Sequence, residues 1–304
     1  MYYLRRVLFM IPVLLVISLI TFTLLRLAPG GPFDRERAPA SEEIRKMQMA
    51  KYHLDEPFPV QYLRYLGDLL RGDLGPSTQY RDHSVNDVVA SALPVSLTLG
   101  LLAFCFAQAI GIPLGFYTAV RRGQWGDYIG SFFALLAFCV PSLVVGPLLI
   151  MIFALKLGWL PSALWETPLH VILPMVALGL YYAGRIARLF REGMTDVLKQ
   201  PFIVAARAKG MSETQLLWKH AFRLGVLPVV SYSGPMLADV LTGSFIVESV
   251  FGLPGMGLFV VNSVQNRDYA MTMGLTLLYA VLLLVTNLIV DFAYTILDPR
   301  VKYE

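Results

Sequence analysis

Six stretches of the chain are apolar for long enough to cross a hydrocarbon core: Val7–Leu25, Leu93–Val120, Tyr128–Leu155, Leu169–Ile186, Val226–Val247 and Met271–Leu297. Such a crossing takes about 20 residues of helix. Pro113, Pro141, Pro147, Pro174 and Pro235 interrupt these stretches. Membrane helices tolerate such breaks, and they predict kinked packing. Gly111-x-x-x-Gly115 and Gly179-x-x-x-Ala183 are small-residue pairs that let two helices approach closely.

Two polar segments separate the apolar ones in an informative way. Within Gly30–Ala92, the stretch Val60–Arg71 places Tyr62, Tyr65, Leu66, Leu69 and Leu70 on one side of a helix, and Gly72 would end it. This predicts a small subdomain over 30–92, acting as a lid on the outer membrane face or as a contact surface for a partner. The second segment is Lys199–Pro228. Pro201 suits a first helical turn, Ala205, Ala206 and Ala208 favour helix, and Gly210 fits the position past a helix end. Ser212-x-x-Gln215 then reads as a capping box opening a second helix, Glu213–Arg223. A short helix held off the bilayer by two supports is a docking knob whose alanines admit a close partner. An amphipathic loop held on the inner leaflet by anionic lipid is the other reading.

Composition supports a membrane domain. Of 304 residues, 56% are hydrophobic and 15% charged, against nearer a quarter charged in soluble domains. The net charge of +4 raises nucleic acid as a partner, but the basic residues collect at the ends of apolar stretches, as membrane topology requires. With the N-terminus inside, the inner segments hold Arg5 and Arg6, then Arg121 and Arg122, then Arg185, Arg188, Arg191, Lys199, Arg207, Lys209, Lys219 and Arg223, and finally Arg300 and Lys302. The short outer loops hold Lys156 and Arg267. Both termini are therefore predicted inside. The first stretch reads as an uncleaved helix, because it exceeds a signal-peptide core and Leu27-Ala28-Pro29-Gly30-Gly31 offers no A-x-A-like cleavage site.

The chemistry-bearing residues point away from catalysis. Cys105 and Cys139 lie in apolar stretches and read as small buried hydrophobes. The four histidines have no metal-ligand spacing. The spans contain no Ser/His, Asp/Asp or His-Glu-x-x-His arrangement for an intramembrane protease, no repeated filter of an ion channel, and no Gly-x-x-x-x-Gly-Lys-Ser/Thr loop for ATP. The fifth span is the most polar, with Ser231, Tyr232, Ser233, Asp239, Thr242, Ser244 and Glu248. An ionisable group in the bilayer faces protein or water. Ser231, Tyr232, Asp239, Thr242 and Glu248 are therefore candidates for a translocation path. A structural hydrogen bond for Asp239 and an outer-interface position for Glu248 are the alternatives.

Val204-Ala205-Ala206-x-x-x-Gly210 followed by Leu227-Pro228 resembles the EAA loop of ABC importer membrane subunits, with Val204 where the motif has Glu. Leu4-Arg5-Arg6, Arg26-Leu27-Ala28-Pro29-Gly30, Gly72-Asp73-Leu74-Gly75-Pro76-Ser77, Ser84-Val85-Asn86-Asp87, Ala205-Ala206-Arg207-Ala208-Lys209-Gly210, Gly252-Leu253-Pro254-Gly255-Met256-Gly257, Asn266-Arg267-Asp268-Tyr269 and Asp298-Pro299-Arg300 extend the likeness over nearly the whole chain. In order and spacing they resemble the peptide/nickel branch, and most of all the B-type subunits of oligopeptide permeases.

The resemblance implies an all-α integral membrane protein with the type I ABC importer transmembrane fold. It would be one domain over 1–304: a first helix over 1–29, the external subdomain over 30–92, and a five-helix core over 93–297 with a coupling loop over 187–225. It implies a pore-forming permease moving oligopeptides by alternating access across the bacterial cytoplasmic membrane. A dipeptide, glutathione or nickel-chelate importer of the same branch is the alternative. It implies a related second permease subunit, two cytoplasmic ATPase subunits that use ATP and Mg, and an extracytoplasmic peptide-binding protein. No cofactor is expected in this chain. Phe202, Ala205, Ala206, Arg207, Lys209 and Gly210 would couple it to the ATPase.

Overall fold

Apolar helices account for nearly all the regular structure of the computed structural model, which describes residues 2–28, 47, 49, 50, 53, 55–80 and 83–297. The order is α1 (Tyr2–Leu27), α2 (Phe58–Leu70), α3 (Val85–Val120), α4 (Trp125–Cys139), α5 (Ser142–Leu149) with a π-helical extension Ile150–Lys156, a 3-10 turn Pro168–Val171, α6 (Ile172–Leu198), α7 (Pro201–Ala208), α8 (Glu213–Gly225), α9 (Leu227–Gly243), α10 (Phe245–Phe251), α11 (Met256–Gln265) and α12 (Tyr269–Leu297). Four spans are continuous, and up to seven result if each bent pair of helices is one span. The six expected spans fall in that range, but several boundaries move; the helix of Leu93–Val120 already begins at Val85. The stretch Tyr128–Leu155 bends by 103° between α4 and α5. Its cause is Pro141, since Val140 before it is held extended (ψ 121°) and cannot continue the helix. The stretch Leu169–Ile186 continues as helix to Leu198, because hydropathy registers the thickness of the membrane and not the end of a helix. The stretch Val226–Val247 ends its helix at Gly243, and Val247 and Glu248 lie on the next one.

The described residues form two compact units, the first from those within 2–95 and 255–285, the second from 96–254 and 286–297. The core of the first unit is Val85, Ala92, Met256, Met271 and Leu275, with the rings of Tyr80 and Phe259 in edge contact beside it, 5.5 Å between centroids. Its loop is fixed by side chains from the motifs quoted above. Asn86 Oδ1 accepts from the Leu74 amide (2.9 Å) while its Nδ2 donates to the Gly72 carbonyl (2.6 Å). The buried Asp268 carboxylate accepts from the Ser77 hydroxyl, and Gln79 Nε2 donates to the Asn266 carbonyl at 3.0 Å. The predicted amphipathic helix forms as α2, and it packs on α1: Phe22 meets the rings of Phe58 and Tyr62 at 5.2 Å. Leu70, predicted on that face, is exposed. Gly72 follows in the left-handed region (φ +77°). Residues 29–46 of the external segment and the terminal Asp298-Pro299-Arg300 lie outside the described residues.

In the second unit, α6 is the central helix. Ile186, Phe190 and Met194 are fully buried on it. The small-residue pairs act as predicted: a β-carbon at Gly111 would come within 2.7 Å of the Ala183 carbonyl oxygen, and one at Gly115 within 2.5 Å of that of Ala187. Any side chain there would force α3 and α6 apart. Leu8, Phe9, Val16 and Leu24 on α1, and Phe132, Phe133 and Leu136 on α4, are exposed, as lipid-facing side chains are. Cys105 and Cys139, expected to be buried, are exposed on the apolar helices as well.

Candidate coupling helix and translocation path

The loop after α6 folds as its sequence demands. Gln200 caps α7 with extended backbone (φ −68°, ψ 145°), and Pro201 takes the first turn, where its missing N–H is no loss. At the other end the Gly210 amide donates to the Arg207 carbonyl (3.1 Å) and the Met211 amide to that of Ala206 (3.3 Å). This paired closure is the Schellman motif, and it places Gly210 at φ +81°. Ser212 then caps α8 by accepting from the Gln215 amide (3.4 Å). Arg207 lies against Glu213 across the turn, with Nε and Nη2 donating at 2.5 and 3.1 Å. That hydrogen bond holds the exposed guanidinium above its ordinary pKa.

The faces of α7 differ sharply. Ile203 is fully buried, and Ala206 and Met211 pack against the core of the second unit. Phe202, Val204, Ala205, Arg207, Ala208, Lys209 and Gly210 are exposed. The knob is therefore pinned through Ile203 and Ala206 and presents Phe202, Val204 and Ala205 outward. Beyond it α8 winds through a π-helical turn, Leu216–Ala221, of the kind frequent at functional sites. Trp218 stacks on Phe222 (5.3 Å) and meets Phe116 (4.8 Å), and Phe222 meets Phe190 (5.3 Å).

A polar clamp with no counterpart in the sequence reading fixes α4 to α6. Asp127, buried at the start of α4, accepts from Arg191 Nε (2.6 Å) and Nη2 (2.8 Å) on α6. It also accepts from the Gly123 amide (3.0 Å) and the Ser131 hydroxyl (3.1 Å). In sequence Arg191 is one inner-side charge among several. An acidic residue at a helix start, facing a cation on a later helix, leaves no local signature.

The path candidates separate by helix. Ser231, Pro235 and Asp239, spaced four apart on α9, form one exposed stripe, while Val229, Met236 and Val240 are buried on the other side. Tyr232 is half-buried, and the guanidinium of Arg185 on α6 lies 4.4 Å from its ring centre. Asp239 and Arg185 both bear electrostatically on Tyr182 and Tyr232. Ser233 accepts from Gln108 Nε2 on α3 at 2.6 Å. Thr242 is on the same helix, its side chain outside the described residues. Glu248 sits apart on α10, fully buried, accepting from the Ser244 hydroxyl (2.6 Å). The structure thus brings Ser231, Tyr232 and Asp239 together and adds Arg185, which in sequence counts only toward topology.

Residues 111–303 match the family described as binding-protein-dependent transport system inner membrane component. The chain is 46% identical over 301 residues to the oligopeptide transport system permease protein OppB of Haemophilus influenzae, covering 98% of each chain. It is 44% identical over 302 residues to OppB of Escherichia coli K12, covering 99% of this chain and 98% of that one. To the dipeptide transport system permease protein DppB of Bacillus subtilis it is 40% identical over 301 residues, covering 99% and 97%. Among solved structures, an amino acid ABC transporter aligns with TM-score 0.53 at 21% identity, over 68% of this chain and 93% of that one. The inward-facing MetNI methionine ABC transporter aligns with TM-score 0.57 at 20% identity, over 71% and 97%. The fold is that of type I ABC importer membrane domains.

Proposed function

The chain belongs to the binding-protein-dependent transport system inner membrane components, and we propose that it couples ATP-driven closure of partner subunits to peptide movement through the exposed helix Pro201–Ala208. It is a multi-pass inner-membrane permease, the pore-forming subunit of a peptide importer. The observation that carries the coupling role is the division of α7 into a pinned face and a presented face. A helix anchored through Ile203 and Ala206 transmits a push on its outer face to the core of the second unit. The chain would pair with a related second permease, stand on two ATPase subunits that bind ATP and Mg, and receive peptide from an external binding protein. An ATPase drives transport only if its closed dimer has different affinities for the two membrane states.

Oligopeptides are the substrate class we favour over dipeptides, since two relatives named for oligopeptide transport are the more similar ones. The exposed stripe of Ser231 and Asp239, beside Arg185 and Tyr232, supports a polar path along α9. Uptake of a labelled tetrapeptide and a labelled dipeptide into cells carrying the whole complex tests both readings. Wild type should favour the tetrapeptide, and Asp239→Ala should lower uptake while leaving the amount of assembled complex unchanged. Dipeptide preference would correct the substrate. Loss of the complex without a transport-specific defect would make Asp239 structural.

Both termini would lie in the cytoplasm, with residues 30–92 outside, from the distribution of Arg and Lys. A cysteine introduced near Tyr80, in a background lacking Cys105 and Cys139, should react with a membrane-impermeant maleimide in intact cells. One at Ser212 should not. Labelling of the Ser212 site from outside would invert the topology and remove α7 from the ATPase side.

A further inference from the structure

The first unit holds a cavity of about 190 Å³ between α1, α2, the loop 73–78 and the start of α12. It is large beside the 10–15 Å³ that roughly one water needs. Phe22, Leu74, Ala270 and Met273 give it an apolar side. Its polar side is less ordinary. Arg26, at the last turn of α1, points its Nε and Nη2 at the amide oxygen of Gln61 (2.8 and 2.6 Å) and covers the Phe22 ring at 4.0 Å. No carboxylate among the described residues lies within ion-pair distance of it. The buried hydroxyls of Tyr65 and Thr78, both in the lining, have no hydrogen-bond partner among the described residues. Burial raises the Tyr65 phenol above its ordinary pKa, so it remains a donor at any physiological pH.

Arg26 is hydrogen-bonded to a neutral amide but meets no carboxylate among the described residues, and the two hydroxyls have lost water without gaining a partner there, which is unfavourable for each. One bound group would satisfy all three. It must accept several hydrogen bonds, carry negative charge for Arg26, and bring an apolar stem for Phe22, Leu74 and Met273. The other charged side chains of the lining do not serve this end. Arg64 is taken by Glu56 (2.6 Å), His53 faces the same Glu56 (3.2 Å), and Asp73 accepts from the Gly75 amide (2.8 Å). Asp68 is near Arg71 at 3.7 Å.

We propose that this cavity is a binding site for a carboxylate or phosphate borne on an apolar stem, with Arg26 as counter-ion and Tyr65 and Thr78 as donors. The site lies wholly within the first unit. A lipid headgroup and a peptide C-terminus share this chemistry, and the test separates them. The intact complex is purified with Cys105 and Cys139 replaced by Ser and Ala270 by Cys, and thiol labelling at 270 is followed. The probes are dihexanoyl phosphatidylglycerol and N-acetyl-trileucine, with octyl glucoside and N-acetyl-trileucine amide as neutral controls. At ten times its Kd an occupying anion should slow labelling by roughly 10-fold, as the free fraction falls. Arg26→Gln should weaken that protection by roughly 10- to 100-fold in affinity. Tyr65→Phe and Thr78→Val should each weaken it by roughly 2- to 10-fold, and they decide the matter if Arg26→Gln does not assemble. Protection by the lipid alone assigns a headgroup site, and protection by N-acetyl-trileucine alone assigns a peptide carboxylate. The proposal is overturned if neither anion protects, if the neutral controls protect equally, or if the variants bind like the parent.

Discussion

Replacing Arg191 with alanine should destabilise the second unit by ~2–3 kcal/mol, less than a fully enclosed pair would lose because Arg191 stays partly exposed. Asp127 is the reason. Its carboxylate is buried at the start of α4 and takes two of its four hydrogen bonds from Arg191. Without the guanidinium it keeps only the Gly123 amide and the Ser131 hydroxyl, and the negative charge has no counter-ion. Thermal unfolding of the purified complex, read as loss of monodisperse subunit, should show a lower midpoint for Arg191→Ala. Arg191→Lys should recover part of the loss, since one ammonium cannot reproduce the two parallel hydrogen bonds. The double variant Asp127→Leu with Arg191→Met should recover more, because removing both charges removes the desolvated carboxylate too. The Arg207–Glu213 pair has a similar bidentate geometry but is exposed at both ends, so Arg207→Ala should leave the midpoint near the parent value. Equal effects of the Arg191 and Arg207 variants would show that the clamp contributes nothing beyond surface charge.

The contrast between those pairs shows where sequence reading stops. Elements set by neighbours in the chain are legible. Pro201, Gly210 and Ser212 place α7, its end and the start of α8 to within a residue, because capping and left-handed closure are local requirements. The amphipathic helix α2 is legible for the same reason, since its period alone marks the covered face. Quantities that depend on distant partners are not. The proline at 141 is visible, but the 103° turn around it depends on what α5 packs against. Glu248 looks like part of one polar span, and the break at Ser244 places it on another helix, bonded within its own turn. Arg185 and Arg191 are alike in sequence, two inner-side cations on one helix. In three dimensions one lies over Tyr232 beside Asp239 and the other closes a clamp on Asp127. The external segment needs the same help: Asn86 and Asp268 are ordinary residues until the loop 72–80 folds onto them.

Replacing Gly210 with valine should uncouple transport while leaving the subunit in the membrane. The glycine sits at φ +81°, and nothing lies within 4 Å of where a β-carbon would be placed. The substitution therefore tests backbone conformation alone, with no clash to confuse it. A β-branched residue disfavours the left-handed region by ~1–2 kcal/mol. That is enough to lower the population of the correctly closed loop by roughly 10-fold. Released from the paired hydrogen bonds to Ala206 and Arg207, the end of α7 would present its outer face at another angle. Gly210→Asn separates conformation from chemistry, because asparagine tolerates the left-handed region, and it should retain most of the transport. The alanines then divide the mechanism. Ala205 is exposed and Ala206 is packed against the core with Met211. Ala205→Trp should block approach of the ATPase and abolish its co-purification. Ala206→Trp should unseat α7 from the membrane domain, so that ATP is hydrolysed without peptide uptake. Co-purification of the ATPase, peptide uptake, and hydrolysis stimulated by the loaded binding protein distinguish these outcomes. If Gly210→Val and Ala205→Trp both dock and transport like the parent, α7 is not the coupling element, whatever the family of the chain. If Gly210→Asn fails as badly as Gly210→Val, the left-handed closure is not what the glycine supplies.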